Sequence, residues 1–256
     1  MALLSVIVAI DEVRAWVPAA ILSASMVPFA TAALAVGSVR WALPRKAWTA
    51  IDDCMYRTYM RLTLFVFETT SGVQLHLYGD VAELKRARES ALVISNHQSN
   101  CDWAVVNMLA ARQSPEGAET GLRFVMKYAI SFVPLFGWYV FQHGYIYVRR
   151  FGNFTPAPLL RQFAHLRELG TPFWLHIFPE GTRFSKKKQD KIDASQKFAQ
   201  ERNLPIPQFT LIPRAGAFTL AVSELRDSLD AVYDLTIAYG QTKLKPIPSR
   251  PSPKHV

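Results

Sequence analysis

The chain has 256 residues, half of them hydrophobic and 19% charged, a balance that excludes intrinsic disorder and collagen-like repeats. Its two cysteines, Cys54 and Cys101, supply neither a disulfide framework nor a four-ligand zinc site, and a chain this long needs no such staple. The formal net charge of +9 is uneven: residues 1–140 carry 12 Lys and Arg against 11 Asp and Glu, and residues 141–256 carry 17 against 9. A basic half on an apolar chain suits phosphate groups, nucleic acid or an anionic membrane surface. Composition alone does not choose among them.

Ala15 to Val39 is a run of 25 residues without a charge, and a membrane-spanning helix needs about 20. Met1 to Ile10 is apolar but too short to cross alone, and no basic region precedes it as a cleaved signal peptide requires. Residues 1–44 are therefore expected to form a membrane anchor. Pro18, Pro28 and Gly37 interrupt the run, which leaves a re-entrant kinked hairpin or a buried core hairpin as alternatives. Arg14 flanks the front and Arg40, Arg45 and Lys46 flank the back, a bias that puts the residues after 40 on the cytosolic side.

From Ile51 to Phe67, Tyr56, Tyr59, Met60, Leu64 and Phe67 recur at helical spacing. Strand-like runs follow at 73–78, 91–95, 145–148, 173–178, 210–212 and 232–239. Helical stretches lie at 103–112, 158–169, 193–202 and 217–229. This alternation predicts an α/β domain over residues 45–243, with a mixed sheet flanked by helices. Four prolines in Leu244–Val256 predict a disordered tail.

Two constellations carry chemistry. Ser95-Asn96-His97-Gln98-Ser99-Asn100-Cys101-Asp102 lies between a predicted strand and helix, so that Asp102 can accept a hydrogen bond from one His97 nitrogen and leave the other as a base. A helix-capping Asp and an ordinary loop His are the structural alternative. Phe178-Pro179-Glu180-Gly181-Thr182-Arg183 follows an apolar strand and presents backbone N–H groups, a hydroxyl and a guanidinium at its carboxyl end, where α/β sheets bind ligands. A turn with a surface Arg is the alternative there. Lys186, Lys187, Lys188 and Lys191 follow as a solvated face suited to anionic lipid. No Gly-x-Ser-x-Gly elbow and no His-Glu-x-x-His helix occurs, so serine hydrolase and zinc hydrolase readings lack their signatures.

Asn96-His97 with Asp102, and Phe178 to Arg183, together resemble the first and third motifs of the glycerolipid (1-acyl-sn-glycerol-3-phosphate) acyltransferases. Asp102-Trp103, Pro134 to Trp138 and Ala194 to Ala199 bring the resemblance closest to the eukaryotic epsilon and lysocardiolipin branch. Gly144 to Arg150 is similar to the second motif, with Arg150 at its final basic position and Arg149 where many members carry an acidic residue. Leu211-Ile212-Pro213 keeps the proline of the fourth, with Arg214 following where an apolar run would continue.

The resemblance implies acyl transfer from acyl-CoA to the sn-2 hydroxyl of lysophosphatidic acid, giving phosphatidic acid without an acyl-enzyme. His97 would be the base and Asp102 its orienting partner, with Arg150, Glu180, Gly181, Thr182 and Arg183 binding substrate. It implies no cofactor and no metal, acyl-CoA being a co-substrate, and an endoplasmic-reticulum or mitochondrial membrane with the domain facing the cytosol. The partners expected are acyl-CoA, a lysophospholipid and the membrane, with no nucleic acid. A lysocardiolipin-like acceptor, or a truncated non-catalytic lipid-binding protein, is the alternative. Lys127 and the aromatic stretch Ile130–Phe141 are further candidates, the latter as a wall for the acyl chain or as ordinary core.

Overall fold

The computed structural model describes residues 2–85, 88–149, 157–168 and 170–240, with side chains from Trp16 onward. Arg150 and the expected tail Leu244–Val256 lie outside the described residues.

Both N-terminal apolar runs fall in one helix, α1 (Ala2–Ser38), which continues through Pro18 and Pro28. Neither proline turns the chain back, so the hairpin alternatives are not adopted. The stretch Trp16–Ser38 is long and apolar enough to cross a membrane, and only 11% of its most apolar window is buried inside the protein. Its second half nevertheless packs on the domain through Ala30 and Ala33, and Phe29 stacks on Tyr59 at 4.6 Å between ring centroids. After a turn comes α2 (Arg45–Leu64), prolonged by a wider helical turn over Phe65–Thr70. Its buried side chains, Asp52, Tyr56, Tyr59, Met60 and Thr63, follow the helical period and form one face.

Asp52 is on that face because it has a partner. The His143 ring nitrogen Nδ1 lies 2.6 Å from its carboxylate, and the Tyr56 ring stacks on the imidazole at 3.6 Å. Burial, helped by the nearby Arg123 guanidinium, pushes His143 down to about 4. At neutral pH the ring is therefore uncharged and donates to Asp52, which removes the cost of burying a second charge.

The remaining elements are α3 (Val81–Leu84), β1 (Ala91–Ser95), α4 (Asp102–Ala110), β2 (Leu122–Lys127), α5 (Phe136–Gln142), β3 (Ile146–Val148), α6 (Ala157–Glu168), β4 (Trp174–Ile177), α7 (Gln189–Glu201), α8 (Ala215–Leu225) and β5 (Ala231–Leu235). The α/β class holds. Where a mixed sheet is expected, every ladder among the described residues is parallel, in the order β3-β2-β4-β1-β5. Helices connect these strands, and parallel neighbours require such crossovers. Connections running toward β2 and those running toward β5 must use opposite faces to stay right-handed. One core accordingly joins α1, α2, α4 and α5 on one face, and a second joins α6 and α8 on the other.

Two expected strands are absent, and one strand forms where none is expected. Val73–Tyr78 alternates half-buried Val73, Leu75 and Leu77 with exposed Gln74, His76 and Tyr78, yet it joins no ladder. Residues 210–212 form no strand, because the Leu211 and Ile212 N–H groups donate to the side chains of Glu180 and Ser195 instead. In the other direction, β2 is a strand although Arg123 and Lys127 interrupt its apolar pattern. Arg123 is buried there, donating to the Thr120 and Leu122 carbonyls with its guanidinium over the Tyr56 ring.

Candidate active site

A sheet of parallel strands collects the carboxyl ends of all its strands at one edge. Here β1 delivers His97 to that edge, β4 delivers Phe178 to Arg183, and β5 delivers Ile237 and Tyr239. The two motifs far apart in sequence thereby meet.

His97 and Asp102 form the centre. Nδ1 of His97 lies 2.7 Å from Asp102 Oδ2, and the carboxylate is completely buried while the imidazole side chain is 23% exposed. Asp102 opens α4, but it does not serve as the helix cap; Cys101 holds that position. The carboxylate reaches back, accepting the Gln98 N–H at 2.8 Å and the Ser99 N–H at 3.0 Å on Oδ2, with Ser99 also 3.1 Å from Oδ1. Tyr239 donates its hydroxyl to Oδ1 at 2.5 Å. These bonds compensate the buried charge, which would otherwise be expensive. The His97 ring stacks on Phe178 at 4.1 Å, so its orientation is fixed on a face as well as at Nδ1.

Glu180 sits behind this pair rather than beside an open cleft. Its residue is 4% exposed, and its two oxygens accept the His97 N–H at 2.8 Å and the Leu211 N–H at 2.9 Å. Burial pushes the carboxyl up to about 7, against the pull of those two N–H groups, with the Asp102 charge adding to the rise. With its two oxygens on these N–H groups, Glu180 ties the His97 loop to the Leu211 segment.

Gly181 turns the chain in the left-handed region at φ +67°, where a side chain would be strained. A Cβ built there would come within 3.6 Å of the Arg214 side chain, so the Arg that departs from the fourth motif lies beside the Gly181 turn. Thr182 is half-buried beside it. Arg183 donates to the Asn100 side-chain oxygen and so links the two motif loops, as does the Phe184 N–H to the His97 carbonyl at 2.9 Å. Arg149 is engaged elsewhere, its guanidinium 4.4 Å over the Tyr128 ring. Lys127 closes β2. Among the described residues no group of three or more His, Cys, Asp and Glu could hold a metal ion.

A His held by a buried carboxylate can act as a general base, and the turn beside it offers a guanidinium. A family model described as Acyltransferase matches residues 79–240, the interval that contains every residue of the site. The chain belongs to the acyltransferase family. It is 39% identical over 197 residues to 1-acyl-sn-glycerol-3-phosphate acyltransferase epsilon of Mus musculus, covering 77% of this chain and 52% of the relative. It is 32% identical over 205 residues to 1-acyl-sn-glycerol-3-phosphate acyltransferase 2 of Arabidopsis thaliana, covering 80% and 51%. Against lysocardiolipin acyltransferase 1 of Danio rerio it is 31% identical over 196 residues, covering 75% and 47%. The chain thus spans about half the length of the curated relatives it matches. No solved structure matches it.

The sequence motifs name His97, Asp102, Arg150, Glu180, Gly181, Thr182 and Arg183; six of these meet at one sheet edge, and Arg150 lies outside the described residues. Sequence reasoning missed Tyr239, Phe178 as a stacking surface, and Arg214 as a neighbour of Gly181. Tyr239 lies 137 positions from Asp102, beyond any local pattern. Arg214 was visible only as a departure from the motif.

Proposed function

We propose that this chain is a membrane-bound, acyl-CoA-dependent acyltransferase that acts on the sn-2 hydroxyl of lysophosphatidic acid. The observation that carries the reading is the His97–Asp102 pair at 2.7 Å, with the loop Phe178–Arg183 pinned against it by Glu180 and Arg183. Nδ1 is committed to Asp102, so Nε2 is left to take the proton of the attacking hydroxyl as it adds to the thioester carbonyl. Asp102 stabilises the imidazolium that results. The proton then passes to the departing CoA thiolate, and no group on the enzyme is acylated. Gly181, Thr182 and Arg183 are assigned to the acceptor phosphate, with Arg214 as a second positive group and Arg150 retained from the motif.

The membrane part of the reading draws on α1 and on the element packed against it. Gln142 at the end of α5 donates to the Ala33 carbonyl of α1, while Phe132, Trp138 and Phe141 in and just before α5 are exposed, at 72%, 63% and 52%. Exposed aromatic side chains beside an apolar helix suit the interfacial layer of a bilayer. The stretch Ile130–Phe141 is thus divided, with Tyr139 and Val140 in the core, Ile130, Leu135 and Phe136 packed against it, and Phe132, Val133, Trp138 and Phe141 outward. The endoplasmic reticulum or a mitochondrial membrane, with the domain toward the cytosol, remains our assignment of place.

The test is CoA release by the detergent-solubilised chain across a panel of lysophospholipids. Lysophosphatidic acid should be the best acceptor, and a preference for lysocardiolipin would transfer the assignment to that acceptor. His97→Ala should lower turnover by about 10²–10⁴-fold with little change in thermal melting. Near-wild-type CoA release from a folded His97→Ala protein would remove His97 from the mechanism.

A further inference from the structure

The carboxylate of Asp102 has one oxygen well supplied and one that depends on a distant residue. Oδ2 accepts from His97 Nδ1, the Gln98 N–H and the Ser99 N–H, whereas Oδ1 has the longer bond from Ser99 and the 2.5 Å bond from the Tyr239 hydroxyl. Tyr239 is brought there by construction. The β1–β5 ladder ends with Ser95 opposite Leu235, and the Asn96 side chain extends it by one rung. Its amide donates to the Ile237 carbonyl at 2.9 Å and its oxygen accepts the Ile237 N–H at 2.7 Å. Two residues later the phenol meets Asp102 on the oxygen that His97 does not use.

We infer that Tyr239 is a positioning residue for acyl transfer, holding Asp102 in the orientation that serves His97 and tempering the charge that His97 meets. The inference rests on the reading of His97 as the base. Burial and the adjacent Asp102 charge push the Tyr239 phenol far up, so it keeps its proton and remains a donor at every working pH. A donor on Oδ1 withdraws negative charge from the carboxylate. Without it, the Gln98 and Ser99 N–H groups remain but more of the charge faces the imidazole, which then holds its proton more tightly and is a poorer source of free base.

The other titratable groups around the pair leave a single confounding site. Burial pushes the Cys101 thiol up to about 11 and His176, behind Phe178, down to about 3, so both are uncharged near neutrality. Arg183 is bound to Asn100 on the motif loop. Glu180, bonded to the His97 N–H, is raised to about 7 and does titrate in the working range. The comparison must therefore be between variants that all retain Glu180.

The experiment uses the full chain in detergent with isotope-labelled histidine, the His97 signal being identified by its loss in His97→Gln. In Tyr239→Phe the His97 signals should follow pH with a midpoint above that of the wild type, and a ring-fluorinated tyrosine in place of Tyr239, a stronger donor, should move it the other way. In CoA-release assays Tyr239→Phe should lower kcat about three- to thirtyfold, with KM for both substrates held within about twofold. On an Asp102→Asn background the same change should cost nothing further, because its effect passes through Asp102. An unmoved midpoint, or an equal loss of kcat on both backgrounds, overturns the assignment. A wild-type chain that releases no CoA with any acceptor would overturn the catalytic reading instead, and the midpoint would still decide the role of Tyr239 toward His97.

Discussion

Arg183 has a protein partner before any phosphate arrives. Its guanidinium donates to Asn100, so substrate must share or replace that bond. Hydrogen bonds to charged groups contribute about 1.5–3 kcal/mol, equivalent to roughly 10–150-fold in affinity, and the competition with Asn100 puts the expected loss at the lower end. Arg183→Ala should raise the apparent KM for lysophosphatidic acid about tenfold and leave that for acyl-CoA nearly unchanged. Arg183→Lys should recover only part, since an ammonium lacks the planar fork. Equal penalties on a zwitterionic acceptor would mean that Arg183 supports the loop. Glu180 makes a different prediction. Its carboxyl is raised from 4.5 to about 7, so the folded protein binds the extra proton between those values. The stabilisation is full below pH 4.5 and is lost as pH rises through 7. Glu180→Gln has no such proton, so the melting temperature of the wild type relative to this variant should fall from pH 5 to pH 8. Parallel curves would show that the buried carboxyl does not titrate there.

Among the elements, the expectation for β1 coincides with the observed Ala91–Ser95, and those for α6, α7 and β4 overlap what is found. β1 is apolar up to its terminal Ser95, and α6 buries Leu159, Phe163 and Leu166 at helical spacing. Where a polar group satisfies the backbone, the pattern misleads. Residues 210–212 read as a strand although Glu180 and Ser195 take their N–H groups, and β2 does not read as one because its arginine is buried among carbonyls. The His97–Asp102 pair was legible because its members are five residues apart, whereas the support from Glu180 and Tyr239 depends on strand order. The helix α5 illustrates a further limit, because its entry depends on one close approach. A Cβ on Gly137 would lie 2.5 Å from the Ile130 carbonyl oxygen and 2.6 Å from that of Ser131. Gly137→Ala must therefore move backbone, at a cost of about 1–3 kcal/mol, and should lower the melting temperature by several degrees. Unchanged melting would mean that the turn before α5 yields freely.

For the whole molecule, α1 has two duties that can be separated. Phe29, Ala30 and Ala33 pack on α2 and α5, while the portion before them brings the apolar stretch to the length that a crossing would require. Removing residues 1–25 leaves 13 residues of the apolar stretch Trp16–Ser38, fewer than the roughly 20 a crossing requires. That shortened chain should keep its cooperative melting but come off membranes in carbonate, where the intact chain stays in the pellet. If both remain in the pellet, the exposed aromatics around α5 suffice as an anchor. If both are released, α1 does not cross.

The order of strands has a consequence for how this site comes into being. The base and its carboxylate are near neighbours in the chain and can meet as soon as β1 and α4 exist. Asn96 and Ile237 are 141 positions apart, and His97 and Glu180 are 83 apart. Such distant closures are the slow events of folding. A ribosome must therefore deliver almost the whole domain before the His–Asp pair acquires the bonds that hold it in place. Until β5 docks, the nascent chain carries the pair without that support, an order of events that delays the chemistry until the fold around it is closed.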